Sequence, residues 1–132
     1  QAYLRLLKTD FLEIVDASID EKLDKLEIKW NDAFACNIAL ASNGYPGDYE
    51  KGKVITGIEE AEMQPDVVVF HAGTKIVRQG LTTNTVTNGG RVLGISATGL
   101  TLEKALSTAY GAISKIYFEG MQFRKDIGKK TG

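Results

Sequence analysis

The sequence predicts an α+β domain with a largely antiparallel sheet. Three observations carry this expectation. Short β-branched and apolar runs recur through the middle of the chain, separated by glycine-rich turns rather than by long crossovers. Near the end, apolar residues switch to helical spacing over a longer stretch. The length, 132 residues, fits one ordinary domain.

The elements follow in order. Leu4, Leu6, Leu7, Phe11, Leu12, Ile14, Val15 and Ile19 recur at steps of three and four, which predicts an amphipathic helix over about 2–20. Thr9-Asp10 offers a second N-cap, so one helix or two short ones fit equally. Asp20–Lys25 is a charged turn. Leu26, Ile28 and Trp30 alternate with Glu27 and Lys29, which predicts a short strand whose Trp30 covers a core edge. Ala33–Ser42 reads as a buried strand and Asn43–Gly52 as a loop, with Pro46-Gly47 fitting the centre of a type II turn. Lys53–Thr56 is a short strand, and Ile58–Met63 a helical turn broken by Gln64-Pro65-Asp66. Val67–Phe70 and Ile76–Arg78 are strands, followed by a surface loop at Gln79–Asn84.

Thr85–Thr87, Asn88-Gly89-Gly90 and Arg91–Gly99 then read as a strand, a tight hairpin turn and a longer strand. Leu102, Ala105, Leu106, Ala109, Ala112, Ile113, Ile116 and Tyr117 mark the clearest helix, about 101–117, with Thr101 as N-cap. Gly111 inside it costs about 1 kcal/mol relative to Ala and would allow close packing. Met121–Gly128 is a last extended segment and Lys129–Gly132 a frayed tail.

Composition narrows the function classes. At 43% hydrophobic and 25% charged residues the chain is globular in type. It can bury roughly two thirds of its unfolded surface and needs no disulfide staples. The formal net charge is −1, which gives no support for a nucleic-acid or membrane-surface partner. The single cysteine, Cys36, excludes an internal disulfide and a multi-cysteine zinc site. Within the apolar run Ala35–Ala41 it reads as a small buried hydrophobe. No apolar run approaches the roughly 18 residues that span a bilayer, and no signal peptide opens the chain. A cytoplasmic location is therefore expected. The chain opens on Gln1, inside a helical pattern, as a piece of a longer protein would.

There is no P-loop, dinucleotide fingerprint or nucleophile elbow. Candidate chemistry gathers instead on loops. Arg91 follows the Asn88-Gly89-Gly90 turn, where its planar fork of donors and nearby backbone N–H groups suit phosphate or carboxylate. The plain alternative is a hairpin whose arginine pairs with an acid. His71 ends an apolar strand, and no second histidine shares a metal with it. A ligand hydrogen bond or acid–base role competes there with a structural one. Tyr45, Asp48, Tyr49 and Lys51 crowd one loop, and loops on a rigid scaffold carry function. Its plain reading is a solvated loop with the tyrosines packed down.

Five segments together resemble the C-terminal part of the phosphoribosylamine–glycine ligase family, ATP-grasp enzymes of purine biosynthesis. They are Gly44–Tyr49 with Lys51-Gly52, Phe70–Thr74, Thr87–Leu93, Phe118–Gly120 and Arg124–Gly128. They stand in the family's order and at its approximate spacings. Gln1 resembles the last residue of the family's Gly-Asp-Pro-Glu-x-Gln signature. Asn43 departs from the family's common Gly, and the Gln79–Asn84 loop is longer than in many members.

The resemblance implies that residues 1–25 close the ATP-grasp domain and that 26–132 form the substrate-cleft domain. The implied reaction joins 5-phosphoribosylamine and glycine with ATP, giving glycinamide ribonucleotide, ADP and phosphate. The implied cofactors, ATP with magnesium or manganese, belong to the upstream core, as do the metal ligands and catalytic groups. This piece would be inactive alone, its partners being the two small substrates and the missing N-terminal and ATP-grasp domains. The residues implied for substrate binding are Asn88, Gly89, Gly90 and Arg91, with His71 and Lys75 nearby and Tyr45 and Asp48 on another wall. The alternative is a stand-alone phosphosugar-binding or interaction module that reuses the domain. A third reading, the same domain of another ATP-grasp ligase or carboxylase, fits the Gly44–Tyr49 and Asn88–Arg91 matches less well.

Overall fold

The computed structural model describes residues 1–129, so the tail expected at Lys129–Gly132 lies, beyond Lys129, outside the described residues. In chain order the elements are α1 (Ala2–Leu6), α2 (Phe11–Ile19), β1 (Phe34–Ser42), α3 (Ile58–Glu62), β2 (Val67–His71), β3 (Thr74–Gln79), β4 (Thr82–Thr87), β5 (Arg91–Gly99), α4 (Leu102–Ile113) and β6 (Met121–Gln122). The fold is α+β, and every strand pairing is antiparallel.

A four-stranded sheet of order β2-β5-β1-β6 carries the core. Alternation along β1 buries Cys36, Ile38 and Leu40 on one face, and Ile95 and Ala97 join them from β5. The small residues Ala105, Ala109 and Ala112 of α4, all fully buried, let that helix lie close on this face. Thr101 caps α4 as expected, its hydroxyl accepting from the Lys104 N–H. The helix stops at Ile113, short of the expected 117, because tertiary pairing overrides the periodic pattern there. Ile116 and Phe118 enter the core, and Tyr117 bridges Thr56. A Cβ on Gly111 would meet only the Gln64 side chain, at 3.6 Å, so that glycine is not required by packing.

The Asn88-Gly89-Gly90 segment is not a hairpin turn. β4 pairs with β3, whereas β5 pairs with β1 and β2. β2–β3 and β4–β5 instead form one long antiparallel ribbon, bent where Ala72–Gly73 runs beside Asn88–Gly90. The Asn88 N–H donates to the Gly73 carbonyl at 2.7 Å, and the Gly73 N–H to Val92 at 3.1 Å. None of Asn88, Gly89 and Gly90 has a positive φ. The glycines serve close approach: a Cβ on Gly89 would sit 3.0 Å from the Gly73 Cα. The true hairpin tip is Gly80-Leu81, inside the expected Gln79–Asn84 loop. There Gln79 pairs with Thr82, and Gly80 takes φ +60°, the first position of a type II′ turn.

Other expectations are corrected by pairing. Leu26–Trp30 is not a strand. Its alternation finds no neighbouring strand, and only Trp30 bridges Leu7, with its ring half exposed against Tyr3. The pattern over 2–20 resolves into two helices, the second capped by Asp10 accepting from Leu12. Lys53–Thr56 runs along β4 through one isolated bridge, Val54 to Val86, and bridges Tyr117 at Thr56, rather than forming a full strand. In the Asn43–Gly52 loop the left-handed residue is Gly44, φ +91°, not Gly47, so no type II turn centres on Pro46-Gly47. The last extended segment shrinks to β6, paired with Ala41 and Ser42. None of residues 1–33 is fully buried, and Tyr3, Leu4, Phe11, Leu12 and Ile19 are exposed. No helix among the described residues is long and apolar enough to cross a membrane.

Candidate functional site

Two grooves hold three of the residues singled out by sequence, Tyr45, Asp48 and Arg91. The larger, about 620 Å³, opens on the face of the sheet opposite α4. Gln1, Asn37, Tyr45, Gly73, Arg91 and Gly94 stand in its walls. Its floor is open because Ala39 of β1 lies opposite Gly94 of β5, two small residues in one register pair. Arg91 is the first residue of β5, so the ribbon bend delivers it directly to this groove. It is exposed and makes no ion pair among the described residues, which removes the plain reading of an arginine paired to an acid.

The bend is held from below. The Ser42 N–H donates to the Gly90 carbonyl at 2.8 Å and its hydroxyl to the Gly89 carbonyl at 3.0 Å. The Asn88 N–H is consumed by Gly73, which withdraws it from anion binding. The Gly89 and Gly90 N–H groups have no internal partner among the described residues. Gly90 lies buried under the Tyr45 ring: a Cβ there would meet ring carbons at 2.1 and 2.8 Å. Glycine is therefore what lets Tyr45 close one side of the groove.

Not all the expected residues converge. His71 ends β2 with its Nδ1 3.0 Å from the Thr74 hydroxyl, at the ribbon bend and outside the groove walls. Lys75 lies beyond the bend on β3, opposite Val86, also outside them. Asp48 lines a second groove of about 510 Å³ with Tyr49, Glu50, Lys53 and Glu119. Tyr45 and Tyr49, in edge contact at 6.4 Å, divide the two. In the second groove Lys53 Nζ sits 2.8 Å from Glu50 and 2.9 Å from Glu119. Hydrogen bonds to Glu50 and then to Glu119 push this lysine up to about 12, and the bond from Lys53 holds the Glu50 carboxyl below its ordinary value.

Among the described residues, no group of three or more His, Cys, Asp or Glu side chains could hold a metal ion. No metal step is assigned to these residues. Sequence reasoning missed Asn37, Gly73 and Gly94 as groove residues. The one available signal was Asn37 itself, a polar side chain inside an otherwise apolar strand.

A helix-backed antiparallel sheet that presents an unpaired arginine to a glycine-floored groove defines a small α+β domain. Comparison with known proteins narrows this. A family model described as phosphoribosylglycinamide synthetase, C domain, matches residues 35–130. The chain belongs to that family. It is 48% identical over 127 residues to the phosphoribosylamine–glycine ligase of Caldanaerobacter subterraneus subsp. tengcongensis, covering 96% of this chain and 29% of that protein. It is 45% identical over 131 residues to a bifunctional purine biosynthetic protein of Dictyostelium discoideum, covering 99% of this chain and 16% of that one. The crystal structure of phosphoribosylamine–glycine ligase from Thermotoga maritima superposes with a TM-score of 0.63 at 33% identity, over 86% of this chain and 27% of that chain. The chain spans less than a third of each of these proteins.

Proposed function

We propose that the chain is the C-terminal part of a phosphoribosylamine–glycine ligase acting in purine biosynthesis. In this reading it forms one wall of the cleft where phosphoribosylamine and glycine are joined. The observation that carries the reading is Arg91, unpaired at the mouth of a glycine-floored groove, within a segment matched by the family model. Residues 1–25 end the preceding ATP-grasp domain, which accords with the absence of any fully buried residue among 1–33. ATP, with its magnesium or manganese, would be held upstream. A cytoplasmic location goes with this reading.

The chemistry asks little covalent work of this wall. ATP phosphorylates the glycine carboxylate, giving an acyl phosphate and ADP. The amine of phosphoribosylamine then attacks the acyl carbon. A C–N bond forms, the C–O bond to phosphate breaks, phosphate leaves and the amine gives up a proton. Arg91 would hold an oxyanion of the carboxylate or of the ribose phosphate through its fork of donors. The Gly89 and Gly90 N–H groups would add two more donors, and Tyr45 would limit the substrates' freedom.

The test is Arg91→Ala in the full-length protein. The expected result is a fall in kcat/KM for glycine or phosphoribosylamine of about tenfold or more, since bonds to a charged group carry ~1.5–3 kcal/mol. A lowered melting temperature with unchanged kinetics would overturn the role. The rival reading, a separate binding module, is met by reading the coding sequence upstream of Gln1. An adjoining ATP-grasp core supports the ligase, and an in-frame start close to Gln1 refutes it.

A further inference from the structure

We infer that Asn37 is a specificity residue of this groove, receiving the amine of a small anionic amine whose acidic end lies on Arg91. The inference rests on the groove being the substrate site.

Asn37 Oδ1 is buried and accepts no hydrogen bond among the described residues. A buried amide oxygen without a donor is destabilising, and a water or a ligand N–H that reaches it supplies the missing hydrogen. This oxygen is not alone. It lies 3.0 Å from the point where a Cβ on Gly94 would stand, and Gln1 Oε1 lies 2.9 Å from the same point. The two amide oxygens are therefore within about 6 Å of each other, a gap that one N–H donor atom bridges with two ordinary hydrogen bonds. The two acceptors converge over a glycine, with the Asn37 amide nitrogen 3.3 Å from the same point, and offer a donor group two oxygens. A side chain at Gly94 would meet both amides and displace them from this arrangement.

The register supplies the other end. Asn37 and Ala41 lie on the same face of β1, four residues apart, and Arg91 pairs opposite Ala41. Acceptor and cation therefore stand roughly 13 Å apart along the strand at the Cα level, and both residues line the groove. Acceptors at one end and a guanidinium at the other match a ligand with a primary amine and an anionic group. Both glycine and phosphoribosylamine have this form, and the kinetics distinguish them.

The experiment compares Asn37→Leu, Asn37→Asp and Arg91→Ala in the full-length protein, with separate KM values for glycine, phosphoribosylamine and ATP. Asn37→Leu keeps the side chain's shape and removes the acceptor. It should lower kcat/KM for one amine substrate about tenfold or more and leave the KM for ATP unchanged. The substrate affected identifies which amine Asn37 receives. Asn37→Asp keeps an acceptor and should retain most of the activity. In the 132-residue chain, Asn37→Leu should hold or raise the melting temperature, because it deletes an unsatisfied oxygen. Normal kinetics for Asn37→Leu beside an impaired Arg91→Ala overturns the inference and leaves the groove reading standing. If both variants are silent, the groove reading itself fails. A lowered melting temperature with unaltered substrate KM values would make Asn37 structural, and also overturns the inference.

Discussion

Gly73→Ala should be the more damaging single-methyl change of the two glycines that line the larger groove. A Cβ at Gly73 would lie 2.5 Å from the Arg91 carbonyl oxygen, 2.7 Å from the Gly89 Cα and 2.9 Å from the Gly89 nitrogen. All three are backbone atoms, so no side chain can rotate away. The two limbs of the ribbon must separate by about 1 Å, an overpacking that costs ~1–3 kcal/mol. Separation also strains the Asn88 N–H bond to Gly73, 2.7 Å, and the Gly73 N–H bond to Val92, 3.1 Å. Each is worth ~0.5–1.5 kcal/mol if lost. Alanine restricts the unfolded chain and returns ~0.4–1 kcal/mol. The net loss is ~2–4 kcal/mol, a fall in melting temperature of roughly 8–15 °C for a domain of this size. Thermal unfolding and the urea midpoint at constant m measure it. Gly90→Ala is the control. Its Cβ would meet the Tyr45 ring at 2.1 Å, but that side chain is 41% exposed and can swing into solvent. It should cost less than ~1 kcal/mol in stability while reshaping the groove. A Gly73→Ala variant that melts within about 2 °C of the parent, or above Gly90→Ala, refutes the reasoning.

The second groove and the buried thiol give further expectations. Glu50 is held low by its hydrogen bond from Lys53, so its contribution to stability is present above the ordinary value of 4.5 and lost as pH falls through the lowered one. Lys53 works in the opposite direction: its contribution is present below ~10.4 and lost as pH rises toward about 12. Carboxyl NMR should place the Glu50 midpoint below 4.5, and Lys53→Met should return it toward 4.5. An unchanged midpoint would show that the pair does not persist in solution. Cys36 is 6% exposed, and burial raises its thiol pKa. It should resist a thiol reagent in the native state and react fully in denaturant. Rapid native labelling would contradict its place in the core.

Much of the fold was legible because it follows local periodicity. β1, β2, β5 and α4 each bury one face, and their alternation or helical spacing stands in the residues themselves. What escaped depends on partners distant in sequence. Leu26–Trp30 alternates as well as many strands do, yet no strand lies beside it. Ile116 and Tyr117 continue the spacing of α4, but the core and Thr56 claim them first. Thr82–Asn84 looked like loop because threonine and asparagine are polar; pairing with Val77–Gln79 makes it a strand. The groove was half legible. Arg91 and Tyr45 were found through their loops, whereas Asn37 was passed over because its strand is otherwise apolar. The resemblance sets Asp48 beside Tyr45 on another wall of the cleft, but the chain turns at Gly44 and Asp48 lines the neighbouring groove.

The Asn88-Gly89-Gly90 segment leads into the groove residue Arg91 by local physics other than a hairpin turn. Its composition suggests positive φ and a hairpin, and neither occurs. Glycine is needed because two connections cross there almost in contact, Gly73 against Gly89, with Tyr45 lying on Gly90. The direction of Arg91 is thus a property of the ribbon's bend and not of a flexible turn. That difference has a mechanical consequence. A guanidinium on a free hairpin tip would lose part of its binding energy in becoming ordered. One that starts a central strand, with the two preceding carbonyls held by Ser42, has its backbone ordered before any substrate arrives. Ser42→Ala, which frees the Gly89 carbonyl, should therefore weaken the contribution of Arg91 without touching the groove walls themselves.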